Sequence, residues 1–178
     1  MMLDQIINQP VIETDRFVLR PLRRSDTGLI DHYTRDERVA RMTSAIPHPL
    51  PPGATEAFVN RAMAEDRDED VWAIDGTVAG ASELMGLISL KKMDRNQSEV
   101  GYWVAPICWN TGLASDALAA LVEANPLGND TMFACVFQDN PASARVLIHC
   151  GFEYLGDAEV FSVARDTTVP TWTYSRKL

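Results

Sequence analysis

Between Glu99 and Val122 the chain changes its hydrophobic period once, across a single short loop, and that change restricts the possible folds more than any other feature. Ser98 to Val104 alternates, with Val100, Tyr102 and Val104 on one face and Glu99, Gly101 and Trp103 on the other, as a strand does. After Pro106 the apolar residues Leu113, Ala117, Leu118, Leu121 and Val122 recur at three- and four-residue spacing, as in a helix. A strand that passes through Gly112 and small Ala114 straight into a helix aims several unpaired backbone N–H groups, and the positive end of the helix dipole, at one point. That point favours an anion, because Gly112 lets the backbone approach a phosphate and Ala114 keeps side-chain bulk away. A glycine that only makes the turn would leave the same trace, so the loop alone does not name a ligand.

The rest of the chain supplies the elements around this unit. Arg16 to Leu22 reads as a first strand, and Ser25-Asp26 offers a helix cap before one or two short surface helices over Thr27 to Arg41. Prolines 47, 49, 51 and 52 and Gly53 form a stiff extended loop able to wall a pocket, after which Thr55 is expected to cap a helix running to about Glu65. The acidic run from Glu65 to Asp70 reads as the solvated end of that helix. Two strands follow between Val71 and Lys92, and Thr131 to Phe137 is another. Asn140-Pro141 opens a helix that Gly151 ends in a left-handed cap, with Phe152 packing back on it. Two final strands lie near Phe152 to Ala164 and Thr171 to Arg176. This alternation indicates an α/β protein with one mixed sheet, and with no linker in sight residues 1–178 are read as a single domain.

Twenty-five Asp and Glu against sixteen Lys and Arg leave a net charge of −9, which argues against nucleic acid as a partner and suits a cationic substrate. Cys108, Cys135 and Cys150 are an odd count without CxxC spacing, read as buried thiols. His32, His48 and His149 are too scattered for a metal site and are read as structural, with His32 and His48 the two placed to touch a substrate. Of the four tryptophans, Trp72, Trp103 and Trp172 are read as core and Trp109 as part of the loop. The leading segment MMLDQIINQP shows no signal-peptide pattern and no long apolar run occurs, so no membrane partner is expected and the protein is placed in the cytoplasm.

Three stretches in order resemble one family. Glu99 to Ala117 is similar to the acetyl-coenzyme A signature of the GNAT N-acetyltransferases, whose loop pattern [Q/R]-x-x-G-x-[G/A] is matched at Gly112 and Ala114, while Trp109 stands where Gln or Arg is usual. Asn140 to Gly156 resembles the family's second block, and Glu13 to Asp26 its opening strand and helix. The YW-x-x-P-x-x-W lead-in at Tyr102 to Trp109, and the IPHPL loop, are similar to the branch of ribosomal-protein alanine N-acetyltransferases.

The resemblance implies the GNAT fold: a mixed, mostly antiparallel central sheet, splayed between strands 4 and 5, with helices on both faces. It implies acetyl-coenzyme A as co-substrate, no metal, and direct transfer of acetyl to a primary amine, either a protein N-terminus or a small molecule such as a polyamine or antibiotic, by a monomer or homodimer. A non-catalytic acyl-coenzyme A sensor is the competing reading. The cofactor would meet Val104 and the loop residues Trp109, Asn110, Thr111, Gly112, Leu113 and Ala114, with Asn140 on the pantetheine arm. For catalysis, Glu99 is the candidate base through a water, against a structural carboxylate. Ser143, on the same helical face as Asn140, is the candidate proton donor to sulfur, against a hydroxyl that only satisfies the backbone. Tyr154 is a second candidate donor, against a core tyrosine.

Overall fold

A computed structural model describes residues 9–178, so the first eight residues of the leading segment lie outside the described part. Eight strands form one sheet in the order β1-β2-β3-β4-β5-β6-β8-β7. They are β1 (Ile12–Glu13), β2 (Val18–Pro21), β3 (Glu69–Asp75), β4 (Gly86–Met93), β5 (Gln97–Val104), β6 (Thr131–Phe137), β7 (Glu153–Ser162) and β8 (Thr167–Lys177). Every pairing is antiparallel except β5 with β6, which is parallel. The sheet is therefore mixed and mostly antiparallel, as expected. Because the two-residue β1 precedes the first predicted strand, the expected fourth and fifth strands are β5 and β6.

Helices cover both faces and divide the core in two. On one face, α4 (Leu113–Ala124) and α5 (Pro141–His149) pack on Val100, Val104, Met132 and Ala134. On the other, α1 (Thr27–Thr34) and α3 (Ala54–Ala62) cover Val71, Ala73 and Leu87, with the single turn α2 (Glu37–Ala40) following α1. The five apolar residues whose spacing predicts α4 are the five that α4 buries. At the end of α5, Gly151 takes φ 84°, its N–H bonds Ile148 O, and the N–H of Phe152 returns to Leu147 O at 3.0 Å, so both orphan carbonyls are satisfied.

Four local expectations are corrected. Asp26 does not cap α1 with its side chain: it is 2% exposed and accepts two bonds from Arg20, because a guanidinium on β2 lies beneath it. Gly53, at φ 79°, precedes α3 instead of Thr55, which sits inside the helix and donates to Asp31; the helix ends at Ala62. The acidic run is not a helix end. Its last two residues open β3, where Asp70 is buried against Arg67 and Glu69 accepts from Ser89. Of the thiols, Cys150 is buried, Cys108 half-buried and Cys135 exposed.

Candidate active site

β5 and β6 pair only from Gln97–Thr131 to Glu99–Phe133, and beyond that point the ladder opens. The N–H of Ala105 bonds Met85 O at 2.8 Å, which fixes the alternation along the β4–β5 ladder. Residues two apart then point their backbone groups the same way, so beyond the last bridge the C=O of Val100, the N–H and C=O of Tyr102 and the N–H of Val104 face the gap with no strand to meet. This is an edge inside a sheet, open to an extended arm carrying amides. Beside the opening, Gly86 lets β4 approach β5 closely: a Cβ there would collide with Trp103 O and lie 2.9 Å from Val104 Cα.

The loop after β5 leads from this opening to α4. Pro106–Cys108 forms a 3-10 turn, Asn110 takes φ 62° and Gly112, at φ 77°, caps α4 without a side chain. The first N–H groups of α4, on Leu113 and Ala114, are thus left without a capping side chain. Apart from Arg16 Nη1, 3.9 Å away, nothing approaches within 4 Å of where a Gly112 Cβ would be. Trp109 departs from expectation, since its own N–H is bonded to Pro106 O and its indole N–H to Val104 O at 2.8 Å. The loop N–H groups left open therefore run from Asn110 to Ala114, and Trp109 closes the end of the opening.

No cation lies in the loop from Pro106 to Gly112. Two arginines come to it from elsewhere. Arg16 pairs with Asp116 in the first turn of α4 at 2.9 Å, and Arg38 lies 5.3 Å over the Trp109 ring.

The expected catalytic residues separate onto the two faces. Ser143 and Asn140 sit at the start of α5, where Asn140 Oδ1 caps the helix by accepting the Ser143 N–H at 3.4 Å, and the amide nitrogen of Asn140 stays free. Tyr102 Oη is 2.8 Å from Ser143 Oγ. Burial pushes the Tyr102 phenol up to about 12, so it stays protonated and can donate to Ser143. The sequence marks Tyr102 as one side of a strand and as the start of the YW-x-x-P-x-x-W lead-in, with no role beside Ser143; the pair lies 41 residues apart, and no local spacing announces it. Tyr154 is corrected: it is neither core nor at the opening. It lies on the outer strand β7, 55% exposed, with its hydroxyl donating to Asp157.

Glu99 projects to the α1–α3 face and makes no ion pair among the described residues. It adjoins Cys135, whose thiol is pushed up by partial desolvation, with the Glu99 carboxylate adding to the shift. Both line a cavity of about 540 Å³ that runs from this face through the opening to Asn140 and Ser143. The proline-rich segment walls it through Ile46, Pro47 and Leu50, as its stiffness suggested. Arg165, between β7 and β8, pins that wall by donating twice to Arg41 O and pairing with Asp139, while Val163 N–H bonds Ser44 O. His32 and His48 do not line the cavity, though His48 lies in the same loop. Among the described residues no group of His, Cys, Asp and Glu is placed to hold a metal, and no helix is long and apolar enough to cross a membrane.

Comparison with known proteins agrees with this geometry. The family model described as the acetyltransferase (GNAT) domain matches residues 16–153. The chain is 29% identical over 176 residues to the uncharacterized N-acetyltransferase YoaA of Bacillus subtilis (strain 168), covering 93% of this chain and 96% of that one. It superposes with TM-score 0.81 on the ribosomal L7/L12 α-N-protein acetyltransferase RimL in complex with coenzyme A, at 16% identity and 95% and 98% coverage. The spermidine N-acetyltransferase of Vibrio cholerae, in complex with coenzyme A and spermine, gives TM-score 0.74 at 18% identity, covering 90% and 95%. With the family model matching most of its length and the splayed sheet in place, the chain belongs to the GNAT acetyltransferases.

Proposed function

We propose that the protein transfers the acetyl group of acetyl-coenzyme A directly to a primary amine, the α-amine of a protein N-terminus. The observation that carries this is the opening between β5 and β6, with the C=O of Val100, both backbone groups of Tyr102 and the N–H of Val104 left without a strand partner, ending on the Gly112 loop. The pantetheine amides pair with those groups, Asn140 adds its free amide nitrogen, and the diphosphate rests on the N–H groups from Asn110 to Ala114. A backbone N–H of β5, near Val104, polarises the thioester carbonyl.

Acid and base then stand on opposite sides of the reacting carbon. Glu99 takes the proton of the ammonium group through a water from the α1–α3 face. The amine nitrogen bonds to the acetyl carbon and gives up its second proton to solvent through the same water as the carbon–sulfur bond breaks, and the thiolate takes a proton from Ser143 on the α5 face. Ser143 is resupplied by Tyr102 or by solvent. The protein's main contribution is to hold the two reactants in line.

An N-terminal acceptor is favoured by the resemblance of the YW-x-x-P-x-x-W lead-in and by the likeness to the L7/L12 enzyme, while the spermidine enzyme carries the small-amine alternative. Release of coenzyme A thiol is the test, measured on N-terminal peptides, polyamines and aminoglycosides. Turnover on peptides is expected. Tight binding of acetyl-coenzyme A with no thiol release on any amine would instead make the protein a sensor.

A further inference from the structure

The floor of the cavity on the α1–α3 face carries a defined charge pattern. Register aligns Glu69 on β3, Lys91 on β4 and Glu99 on β5 in one row, and Val71, Ser89 and Gly101 in the next row towards the opening. Directly opposed residues have Cβ atoms roughly 4.5–5.5 Å apart, so each row is continuous. Glu69 Oε2 accepts the Ser89 hydroxyl at 2.7 Å, which draws the carboxylate towards the second row. On the far side Glu99 adjoins Cys135. In their own row Lys91 separates the two acids. Gly101, in the next row, lies beside Glu99 along β5 and across Ser89 from the Glu69 carboxylate, so its missing side chain leaves a notch that both carboxylates flank, and a Cβ there would come within 3.3 Å of Ser89 Oγ.

The ionised groups lining the cavity are Glu69, Glu99, Lys91 and Arg61, whose formal charges sum to zero. Two carboxylates about a notch suit one ammonium group. A second or third cationic nitrogen on the same molecule would meet Lys91 or Arg61. The remaining wall is largely apolar, with Ile30, Leu50, Phe58, Val71 and Trp103. A polar chain laid along it would leave its groups without partners.

We propose that the acceptor is a monocation: its ammonium nitrogen is held over Gly101 between Glu69 and Glu99, and the carbon next to that nitrogen bears a large apolar group. Glu69 is then an acceptor-binding residue. This rests on the acetyl-transfer reading above and narrows it to aminoacyl or peptide N-termini beginning with a bulky apolar residue, to the exclusion of polyamines.

The test uses the full chain with acetyl-coenzyme A and four acceptors: leucinamide, phenylalaninamide, glycinamide and spermidine. The two apolar amides are expected to exceed glycinamide and spermidine at least tenfold in kcat/KM. Glu69→Gln is expected to raise KM for leucinamide about tenfold while leaving acetyl-coenzyme A affinity unchanged. Spermidine used as well as leucinamide, or an unchanged KM in Glu69→Gln, overturns the proposal. Calorimetric titration of the same amines into protein saturated with coenzyme A separates this proposal from the enzymatic reading. Preference for the apolar amides without any thiol release supports the site and defeats the enzyme; binding without preference defeats the site.

Discussion

Tyr102 and Ser143 share a hydrogen bond of 2.8 Å across the gap between β5 and α5, where both line the cavity. Tyr102 holds its proton because burial raises its phenol to about 12. Its hydroxyl reaches both Ser143 Oγ and, at 3.3 Å, the Ser143 carbonyl oxygen, and when it donates to Oγ the serine proton is free for the cavity. Loss of a positioned proton donor lowers turnover by about 10²-fold or more when thiolate departure limits the rate. Ser143→Ala is expected to reduce kcat by that order, and Tyr102→Phe by about tenfold, both with unchanged acetyl-coenzyme A affinity. Since Tyr102 does not ionise below about pH 11, the pH–rate profile of Tyr102→Phe should keep the wild-type shape. A fully active Ser143→Ala enzyme would assign the donor to solvent.

Cofactor affinity should depend on residues that are far apart in sequence. Gly112→Glu places a carboxylate at a left-handed backbone position, φ 77°, in the space required by the diphosphate, and is expected to abolish binding in calorimetry. Arg16 is the guanidinium nearest that glycine and is held by Asp116. Arg16→Ala is expected to weaken acetyl-coenzyme A binding about tenfold, or ~1.4 kcal/mol, by removing a charged partner of a phosphate. Asp116→Asn, which releases Arg16, should tighten it. If the pair is only a surface ion pair, neither variant will change the affinity.

The unit from Ser98 to Val122 was legible because its side chains follow backbone period alone: one alternation, one glycine and one apolar stripe. Asn140, Pro141 and Gly151 were legible for the same reason, since caps are local chemistry. What the sequence concealed was pairing through space. Arg20 shares one side of the first strand's alternation with Arg16 and Val18, and nothing local marks it as buried, yet it is 6% exposed because two aspartates from other segments neutralise it. Asp70 hides in a run of acids for the same reason. Glu69, Ser89 and Gly101 become neighbours only through strand register, and Tyr102 meets Ser143 only after α5 docks. Gly86 falls inside a predicted strand with nothing local to mark it, although it lets two backbones touch.

That contact makes a prediction. At Gly86 any side chain would collide with backbone atoms of Trp103 and Val104, which cannot swing away as a flexible side chain can. Relief requires β5 to move off β4, towards the opening. Gly86→Ala is expected to cost about 1–3 kcal/mol, the range for overpacking a tight site. For a chain of this size that lowers Tm by roughly 3–10 °C. Because β5 also forms one wall of the opening, acetyl-coenzyme A affinity should fall with it. Melting by circular dichroism and calorimetric titration read the two effects, and a variant with unaltered Tm and affinity would show that the strands are not in close contact there.

Acid sensitivity should trace to Arg20. Its guanidinium donates to Asp75 at 2.7 Å and to both oxygens of Asp26 at 2.9 Å, all three groups being almost wholly buried. Burial alone would raise the Asp75 carboxyl, but the bonds from Arg20 and Thr77 outweigh it and hold the group below its ordinary 3.8. A depressed folded value means that the unfolded chain binds the proton first. The resulting stability is present above about pH 4 and is lost as pH falls through the folded value. Wild-type Tm should therefore drop as pH falls below 4. Arg20→Met leaves two buried carboxylates without their partner, at a cost of about 3–5 kcal/mol near neutral pH. With the guanidinium gone, desolvation raises Asp75, which then takes up its proton at higher pH and is relieved by it. The gap in Tm between wild type and Arg20→Met should accordingly narrow from pH 7 to pH 3; a constant gap would mean that the arginine acts by packing and not by charge.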